Sequence, residues 1–412
     1  LVAEPRQGVS ASSSTSARNG GGMSMMIAPP DEAGIIAAVQ AARAAREPLA
    51  IEGQGSKRGL LRPVQAARSL STRALSGITL YRPAELIISA QAGTPLAEIE
   101  AALAEKGQQL IAESPYFNAV FGTSAPPSIG GVVAANLSGP RRITWGATRD
   151  HVMGLRFING AGEAIRSGGR VLKNVTGLDL CKLLSGSYGT LGVITEVTLK
   201  VLPKPETSAT LLIETPDLTG AIAALSAGLG SPFGVSGAAA LPTQGHVVAA
   251  LRLEDFAASV AYRMDKLATL LGSFGAQRVI EDAESREFWR GVREVAPLAA
   301  MPEDAIWRVS VRPSAGPQIA AVASAIGGRV MLDWGGGLVW IAASPNMANH
   351  AAISSVAQAQ GGAAMLFRAP EALRLAVPVL PEEAAPIAKI GARVKEALDP
   401  GGLFNPGHMR AA

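Results

Sequence analysis

The sequence contains few of the residues on which disulfides and metal clusters depend. Its 412 residues include one cysteine, Cys181, and four histidines. One cysteine excludes an internal disulfide, a thiolate zinc cluster and a self-contained iron–sulfur site. The chain therefore cannot carry an iron–sulfur relay of its own, and a reducing compartment is compatible with its composition.

Aromatic residues and long apolar runs are also scarce. Aromatic residues make up only 4% of the chain, which argues against stacking platforms for single-stranded nucleic acid. The mean hydropathy is +0.24, yet no stretch approaches the roughly 18–20 uninterrupted apolar residues that a spanning helix needs. The 37 basic and 33 acidic residues form no basic block, so nucleic-acid binding is not indicated either. These absences predict a soluble globular protein.

The residues that are present predict two folded domains, because 412 residues, 48% of them hydrophobic, exceed what one core usually holds. The serine- and glycine-rich N-terminus predicts a disordered tail, and we expect the natural start at Met23, Met25 or Met26. The prolines of Leu202-Pro203-Lys204-Pro205 predict a domain boundary. The predicted units are a tail at 1–26, a first domain at 27–205, a second at 206–385, and a C-terminal helix and tail at 386–412.

Hydrophobic periodicity and capping residues predict the local structure. In the first domain, Ile78–Tyr81 and Leu86–Ala90 are predicted to pair as strands, and Thr94 is predicted to cap a helix that runs to about Lys106. The second domain alternates strands and helices, which favours an α+β domain with an antiparallel sheet covered by helices. Its predicted strands are 211–213, 246–253, 305–311, 330–333 and 338–341, and its predicted helices are 217–228, 255–272, 315–326 and 346–359.

Three glycine clusters are the strongest candidates for a ligand site. The first, Gly53-Gln54-Gly55-Ser56-Lys57, follows a short strand, and its backbone N–H groups could face a diphosphate; a plain glycine turn is an equal alternative. The second, Ser128–Gly139, places small residues on a short helix, which suits a flat ligand or tight helix packing. The third, Gly189–Ile194, is a turn into a strand. The first cluster is neither a Walker A loop nor a Gly-x-Gly-x-x-Gly fingerprint.

The order and spacing of these clusters resemble the PCMH-type flavin domain of the vanillyl-alcohol oxidase superfamily. Within it, the chain is similar to the FAD-binding subunits of bacterial glycolate oxidase complexes. The resemblance rests on five stretches of sequence: Ile51–Leu60, Leu75–Leu103, Ile129–Gly154, Gly168–Leu202 and the terminal LDPGGLFNPG. It implies an α+β fold with a two-part FAD-binding domain at 27–205, followed by an α+β cap domain.

The resemblance also implies roles for individual residues. Residues of the first cluster would wrap the FAD diphosphate, Gly93 would lie beside the cofactor, and the second cluster would line the diphosphate and isoalloxazine. Residues of the third cluster would touch the adenine end or the ribityl chain, and Asn405 with Pro406 would bring the C-terminus back. The implied FAD-binding residues are Gly53, Gln54, Gly55, Ser56, Lys57, Gly93, Ser128, Ile129, Gly130, Gly131, Asn136, Ser138, Gly139, Gly192, Val193, Ile194 and Asn405.

Two departures from relatives in the superfamily affect the chemistry. The histidine that bonds covalently to flavin in some members is replaced by Ser56 or Lys57, so we expect FAD to be bound non-covalently. The metal-binding cap motif of related 2-hydroxy-acid dehydrogenases, Gly-His-x-Gly-Asp-Gly-x-x-His, is reduced here to Gly245-His246. No metal site is therefore expected.

No catalytic residue can be assigned from the sequence. His151 and His246 are more readily explained as packed residues, His350 as a surface residue, and His408 lies near a tail that would approach the flavin. The pair Arg141 and Arg142 could hold a phosphate or a substrate carboxylate, or be a solvated pair. Two further arginines, Arg308 and Arg312, alternate along one strand and could equally pair with acids, and Cys181 is predicted to be buried in a helix.

The resemblance implies a subunit of a complex that oxidises glycolate, a 2-hydroxy acid, to glyoxylate. Its partners would be a sister FAD-linked subunit and an iron–sulfur subunit, and it would be cytoplasmic, held through these partners at the inner face of the plasma membrane. A self-sufficient FAD-dependent 2-hydroxy-acid dehydrogenase is an alternative, against which the missing metal motif counts. A scaffold that has lost flavin is another, against which the glycine clusters count.

Overall fold

The computed structural model describes residues 25–169 and 178–411. Most of the predicted N-terminal tail, residues 1–24, lies outside the described residues, as do residues 170–177 of the stretch Gly168–Leu202. The described residues form three sheets.

The first sheet is small, parallel and built around the N-terminal helix. Asp31 caps that helix by accepting a hydrogen bond from the Gly34 N–H at 2.8 Å. The buried stripe of the helix, formed by Ile35, Val39 and Ala42, packs against the sheet together with Phe404 from the C-terminal tail. The strand order is β1-β3-β2, with β1 (Met25–Ile27), β2 (Leu49–Glu52) and β3 (Arg68–Ser71).

The second sheet is antiparallel and has six strands, centred on a long strand of 11 residues. That strand, β9 (Val193–Pro203), pairs with β5, β6 and β7, and helices of the N-terminal region cover the sheet through one apolar cluster. The other strands are β4 (Ile78–Arg82), β5 (Ile87–Gln91), β6 (Gln108–Leu110), β7 (Val152–Ile158) and β8 (Ala164–Gly168).

The third sheet has eight antiparallel strands in the order β13-β10-β12-β11-β15-β16-β14-β17. It forms the C-terminal region, which we define as residues 207–380, and it begins four residues after β9 ends. Its strands are β10 (Thr207–Thr215), β11 (Gly237–Pro242), β12 (Val247–Asp255), β13 (Ala276–Glu281), β14 (Ala305–Ser310), β15 (Arg329–Asp333), β16 (Leu338–Ala343) and β17 (Ala363–Arg368). Every strand pairing in this sheet is antiparallel, which confirms the predicted sheet type.

Thirteen α-helices lie in the described residues. Those of the N-terminal region are α1 (Glu32–Ala45), α2 (Leu96–Ala104), α3 (Asn118–Phe121), α4 (Ile129–Ala135), α5 (Arg142–Trp145) and α6 (Leu180–Leu184). Those of the C-terminal region are α7 (Leu218–Leu229), α8 (Ala257–Leu270), α9 (Asp282–Arg293), α10 (Gly316–Ala325), α11 (Met347–Ala359) and α12 (Glu371–Ala376), and α13 (Ala385–Leu398) follows. Short 3₁₀ turns lie at Pro83–Glu85, Thr148–Asp150, Gly272–Phe274, Ala296–Leu298, Pro313–Ala315 and Trp334–Gly336.

The N- and C-terminal regions share one hydrophobic core. Phe117 from the N-terminal region lies edge-on to Trp340 and Phe367 of the eight-stranded sheet, with ring centroids 5.8 and 5.2 Å apart. Such aromatic contacts add to the area buried. The large sheet is therefore positioned firmly over the second glycine cluster and its flanking loops.

Most of the local predictions are confirmed, with shifted ends. The five strands and four helices predicted beyond the boundary are all present. The prediction for Thr94 is wrong: α2 begins after Pro95 without a side-chain cap, and the Thr94 hydroxyl instead donates to the Gln91 carbonyl at 2.7 Å. Strands β11, β13 and β17 and helices α9 and α12 were not predicted.

Candidate functional site

A cavity of about 920 Å³ lies where β2 and β3, the second and third glycine clusters and the C-terminal tail meet. Its walls come from the N-terminal region, from α12 and from the tail that follows α13. A volume of this size is at the upper end of ordinary small-molecule sites.

The first glycine cluster forms one wall as the loop that leaves β2. Gly55 has a φ of +80°, a conformation that glycine adopts without strain. Among the described residues, the backbone N–H groups from Gly53 to Lys57 find no hydrogen-bond acceptor in the protein. The loop therefore presents unpaired donors at the cavity wall, which suits a phosphate group.

Basic side chains add positive charge to the same cavity. The Lys57 ammonium donates to the Ser56 hydroxyl at 3.2 Å, and burial lowers its pKa to about 8, although Glu294 opposes that shift. Arg62 and Arg374 also line the cavity, and the Nε of Arg374 is buried without a partner. Within the described residues none of these three cations forms an ion pair. A bound anion would compensate them.

The second glycine cluster contacts the first directly. A Cβ atom on Gly53 would lie 2.1 Å from the Ser128 hydroxyl, so the two segments touch where the side chain is missing. The N–H groups of Gly130 and Gly131 are already bonded, to the Ala92 carbonyl and the Ser128 hydroxyl. These glycines therefore bring backbone close to the cavity rather than offering free donors.

The third cluster is tied to the C-terminal tail. The Asn405 side chain accepts from the Ile51 N–H at 2.6 Å and donates to the Tyr188 carbonyl at 2.8 Å. Gly189, with a φ of +71°, leaves room for that amide, because a Cβ there would lie 2.9 Å from its nitrogen. The tail, the third cluster and the end of β2 are thus joined through one side chain.

Eleven of the seventeen implied FAD-binding residues line the cavity. They are Gly53, Gln54, Gly55, Ser56, Lys57, Ser128, Gly130, Gly131, Gly192, Ile194 and Asn405. The other six lie behind this wall: Ile129 and Val193 are in the hydrophobic core, and the Gly93 carbonyl accepts from the Gln54 side chain at 2.9 Å. The remaining three, Asn136, Ser138 and Gly139, form turns and hydrogen bonds at the C-terminal end of the second cluster.

Several lining residues were not predicted as ligands of the site. Tyr188 lies within the stretch Gly168–Leu202 but is not a glycine, while Arg62 and Arg374 belong to segments without a motif. The sequence places His408 only near a tail that would approach the flavin. In the structure, His408 lines the cavity, with its Nδ1 2.6 Å from the Arg62 carbonyl, and burial lowers its pKa.

A second polar cluster lies beside Tyr188, between the N-terminal and C-terminal regions. Trp334 donates from its indole nitrogen to the Gly139 carbonyl at 3.1 Å. The guanidinium carbons of Arg142 and Arg308 lie 4.1 and 5.1 Å from the centroid of the Trp334 ring. Burial lowers the pKa of both guanidinium groups, and neither forms an ion pair within the described residues.

The other residues considered as catalytic candidates lie away from the cavity or are already paired. Arg141 pairs with Glu254 at 2.6 Å, and Arg312 lies beyond β14, where it donates to Gln360 rather than to an acid. The surface placement expected for His350 is wrong: it is buried on α11 and accepts from the Trp307 indole at 3.2 Å. His151 and His246 do not line the cavity. Cys181 is buried in α6, as predicted.

Known proteins resemble this chain in sequence. A family model described as an FAD binding domain matches residues 23–168. The chain is 37% identical to the glycolate oxidase subunit GlcE of Escherichia coli over 367 residues, 89% of this chain and 93% of that protein. It is 48% identical to the glycolate oxidase subunit GlcD of Bacillus subtilis over 85 residues, 21% of this chain and 18% of that protein.

Solved structures share the fold at low identity. The 4-ethylphenol oxidase from Gulosibacter chungangensis superposes with a TM-score of 0.70 at 13% identity, over 94% of this chain and 89% of that chain. An alkyldihydroxyacetonephosphate synthase superposes with a TM-score of 0.68 at 15% identity, over 92% and 76%. At such identities the likeness concerns the fold alone.

The fold and the cavity define an FAD-dependent oxidoreductase with a PCMH-type flavin domain. The unpaired loop donors and uncompensated cations fit the diphosphate of that cofactor. Within this class, the chain belongs to the family of the glycolate oxidase subunit GlcE. Across the described residues, no helix has both the length and the apolar character that crossing a membrane would require.

Proposed function

We propose that this chain is the FAD-binding subunit of a complex that oxidises glycolate to glyoxylate. The oxidation removes two electrons and two protons from the 2-hydroxy acid, and bound FAD supplies the acceptor for the hydride. The identity to GlcE over most of both chains supports this proposal. The chain's own contribution is to hold the cofactor and to bind the substrate's carboxylate.

The first cluster would hold the cofactor's diphosphate. The unpaired N–H groups of Gly53 to Lys57 would donate to it, and the Lys57 ammonium would supply the charge. The lining glycines of the second and third clusters would allow the backbone to approach the cofactor closely. Binding is proposed to be non-covalent, because Ser56 and Lys57 occupy the place of a linking histidine.

The observation that carries the substrate assignment is the pair of guanidinium groups on Trp334. Arg142 and Arg308 both lie within about 5 Å of the centroid of one ring, and the charge of Arg308 interacts with that of Arg142 and with Tyr188 on the cavity wall. Burying a cation without a partner is unfavourable, whereas a carboxylate between two guanidinium groups would form charge-assisted hydrogen bonds. We therefore assign the glycolate carboxylate to this pair.

The proposed partners are a sister FAD-linked subunit and an iron–sulfur subunit. The single cysteine of this chain leaves electron transfer through iron–sulfur clusters to another polypeptide. The proposed location is cytoplasmic, with the complex peripheral to the inner face of the plasma membrane. The boundary at 202–205, between a flavin domain and a cap domain, belongs to the same proposal.

A second candidate is a self-sufficient 2-hydroxy-acid dehydrogenase. The Arg142 and Arg308 pair supports it equally, because both candidates place the substrate's carboxylate on this chain. The two candidates differ in what the isolated, FAD-loaded chain can do. As a subunit, it should reduce a dye poorly with glycolate and gain activity when the two partners are added. Full turnover by the chain alone would replace the subunit proposal with the second candidate.

The carboxylate assignment is tested in whichever preparation is active. Arg308→Met should raise the KM for glycolate at least tenfold, and the fold should survive because an unpaired buried charge has been removed. Arg312→Met is the matched control, since Arg312 is exposed and donates only to Gln360. An unchanged KM in Arg308→Met would contradict the assignment.

A further inference from the structure

A second cavity, of about 300 Å³, has no part in the proposed function. It opens between β6 and α2 of the N-terminal region and α9 and β12 of the C-terminal region, next to the linker at Lys204. Trp289, which is 1% exposed, lines its floor. The cavity is thus built from both regions of the chain.

Three arginines of α9 line this cavity from one face of the helix. Arg286, Arg290 and Arg293 are spaced at i, i+4 and i+7, which stacks them along a single stripe. Like charges at this spacing repel each other. The acids that pair with Arg286 and Arg290, namely Asp282 and Glu287, have side chains more than 60% exposed, so these ion pairs are weak. Arg293 is better compensated, because it donates to Glu294 at 2.8 Å.

The linker brings a fourth cation to the opposite side. Lys204 lines the same cavity and forms no ion pair within the described residues. Its side chain is exposed. The basic stripe of α9 and this lysine therefore line the same cavity.

The acidic residues of the cavity are already compensated. Glu113 accepts from Arg252 through both oxygens, at 2.9 and 3.0 Å, and Glu254 accepts from Arg141 through both oxygens, at 2.6 and 3.0 Å. The arginines hold the pKa of both carboxyl groups low against the desolvation that would raise it.

The third acid, Glu100, lies near only one end of the α9 stripe, where it interacts with the charge of Arg293. It accepts from the Tyr116 hydroxyl at 2.6 Å, and burial raises its pKa. With Glu113 and Glu254 paired and Glu100 close to Arg293, the excess of positive charge rests on Arg286, Arg290 and Lys204.

We propose that this cavity binds a small anion carrying at least two negative charges, of the diphosphate or dicarboxylate class. A multivalent anion would bridge the α9 stripe and Lys204, and it would relieve the repulsion within that stripe. A monovalent anion would neutralise only one of these contacts. Because the cavity is lined by both regions of the chain, a bound anion would also strengthen their association.

The test is calorimetric titration of the FAD-loaded chain, so that the large cavity is filled. Inorganic diphosphate, malonate and acetate are titrated separately. Diphosphate and malonate should each saturate at one per chain, with acetate showing no saturation, and the tighter of the two identifies the phosphate or carboxylate preference. Absence of saturable binding by both multivalent anions would overturn the proposal.

Variants locate the binding. The double substitution Lys204→Gln with Arg290→Gln should raise the Kd at least tenfold, and both side chains are exposed, so the fold should be retained. Arg278→Gln, also an exposed arginine of the C-terminal region but outside the cavity, should leave the Kd unchanged. Loss of binding in Arg308→Met instead would place the anion at the Trp334 cluster and reject this cavity as its site.

Discussion

The side-chain amide of Asn405 pairs with both backbone groups of Ile51, 354 positions earlier in the chain. Its oxygen accepts from the Ile51 N–H at 2.6 Å, and its nitrogen donates to the Ile51 carbonyl at 3.3 Å. Ile51 stands two residues before Gly53, where the first glycine loop leaves the sheet. The C-terminal tail therefore fixes the direction in which that loop enters the cavity.

Asn405→Asp should weaken FAD binding about tenfold or more. Aspartate has the same shape and tolerates the positive φ of 46° at this position. It cannot donate, however, so a carboxylate oxygen would face the carbonyls of Ile51 and Tyr188, at a cost of roughly 1–3 kcal/mol. Fluorescence titration with FAD measures the change. Equal FAD affinity in Asn405→Asp and wild type would show that the tail does not position the loop.

Gly55→Val should abolish FAD binding. A β-branched residue is strained at the φ of +80°, and its Cβ would lie 3.1 Å from the Arg58 guanidinium, so the loop that is expected to hold the diphosphate would be distorted. Gly107→Val is the matched control, because Gly107 has a φ of +63° with open space around it. The control should lose stability but keep its flavin. A folded Gly55→Val chain with a full flavin complement would refute the assignment of this loop.

The flavin cavity could be predicted in part because short local segments of the sequence form much of its wall. A glycine loop after a short strand needs few long-range contacts to be recognised, and the three clusters keep a fixed order. Arg62 and Arg374 could not be found in this way. They reach the cavity only because α12 packs against the loop between β2 and β3, with Arg62 donating to the Arg374 carbonyl at 3.0 Å.

Tertiary contacts explain the other differences between the predicted and the observed structure. Strand β11 is rich in alanine, which has a low strand propensity, and it forms only because β12 and β15 flank it. Strand β13 is an edge strand with one buried residue, so it lacks an alternating pattern. His350 is buried because the indole of Trp307, on a neighbouring strand, donates to it. A pattern within one segment cannot report such neighbours.

Acid precipitation of the FAD-loaded chain should release all flavin into the supernatant. The first loop carries Ser56 and Lys57, neither of which forms the histidyl link of some relatives. Absorbance of the supernatant and pellet at the flavin bands measures the partition. A yellow pellet would contradict non-covalent binding, and His408→Ala would then show whether the one histidine on the cavity wall within the described residues forms the link.

FAD affinity should fall as the pH rises above 8. The pKa of Lys57 is lowered to about 8 in the free chain because burial disfavours its charge. A diphosphate favours the charged form, so above pH 8 binding takes up a proton, and the Kd rises by up to about tenfold per pH unit. Below pH 7 the Kd should be flat, because the lysine is charged in both states.

Two variants of Lys57 distinguish the effect of its charge on FAD binding from the effect of its packing. Lys57→Arg stays charged, so its Kd should not change between pH 7 and pH 10. Lys57→Met should bind FAD roughly 10–100-fold more weakly at pH 7, which corresponds to the loss of one hydrogen bond to a charged group, and should also be insensitive to pH. If Lys57→Met retained the pH dependence of the wild type, another group would be responsible.

Asp333→Asn should stabilise the protein strongly at pH 8 and by only about 1.5–2 kcal/mol at pH 5. Asp333 is 3% exposed and accepts from the Trp334 N–H at 2.7 Å, and burial raises its pKa from 3.8 to about 7. Between these values the folded chain binds a proton that the unfolded chain releases, so wild-type stability falls as the pH rises through this window. Asparagine keeps the acceptor oxygen and has no charge to bury, so its free energy of unfolding at pH 8 should exceed that of the wild type by about 4 kcal/mol at most.

Urea unfolding at both pH values measures the difference, with Asp265→Asn, whose side chain is 71% exposed, as the control. A pH dependence shared by Asp333→Asn and the wild type would mean that Asp333 is already ionised in the folded protein at pH 5.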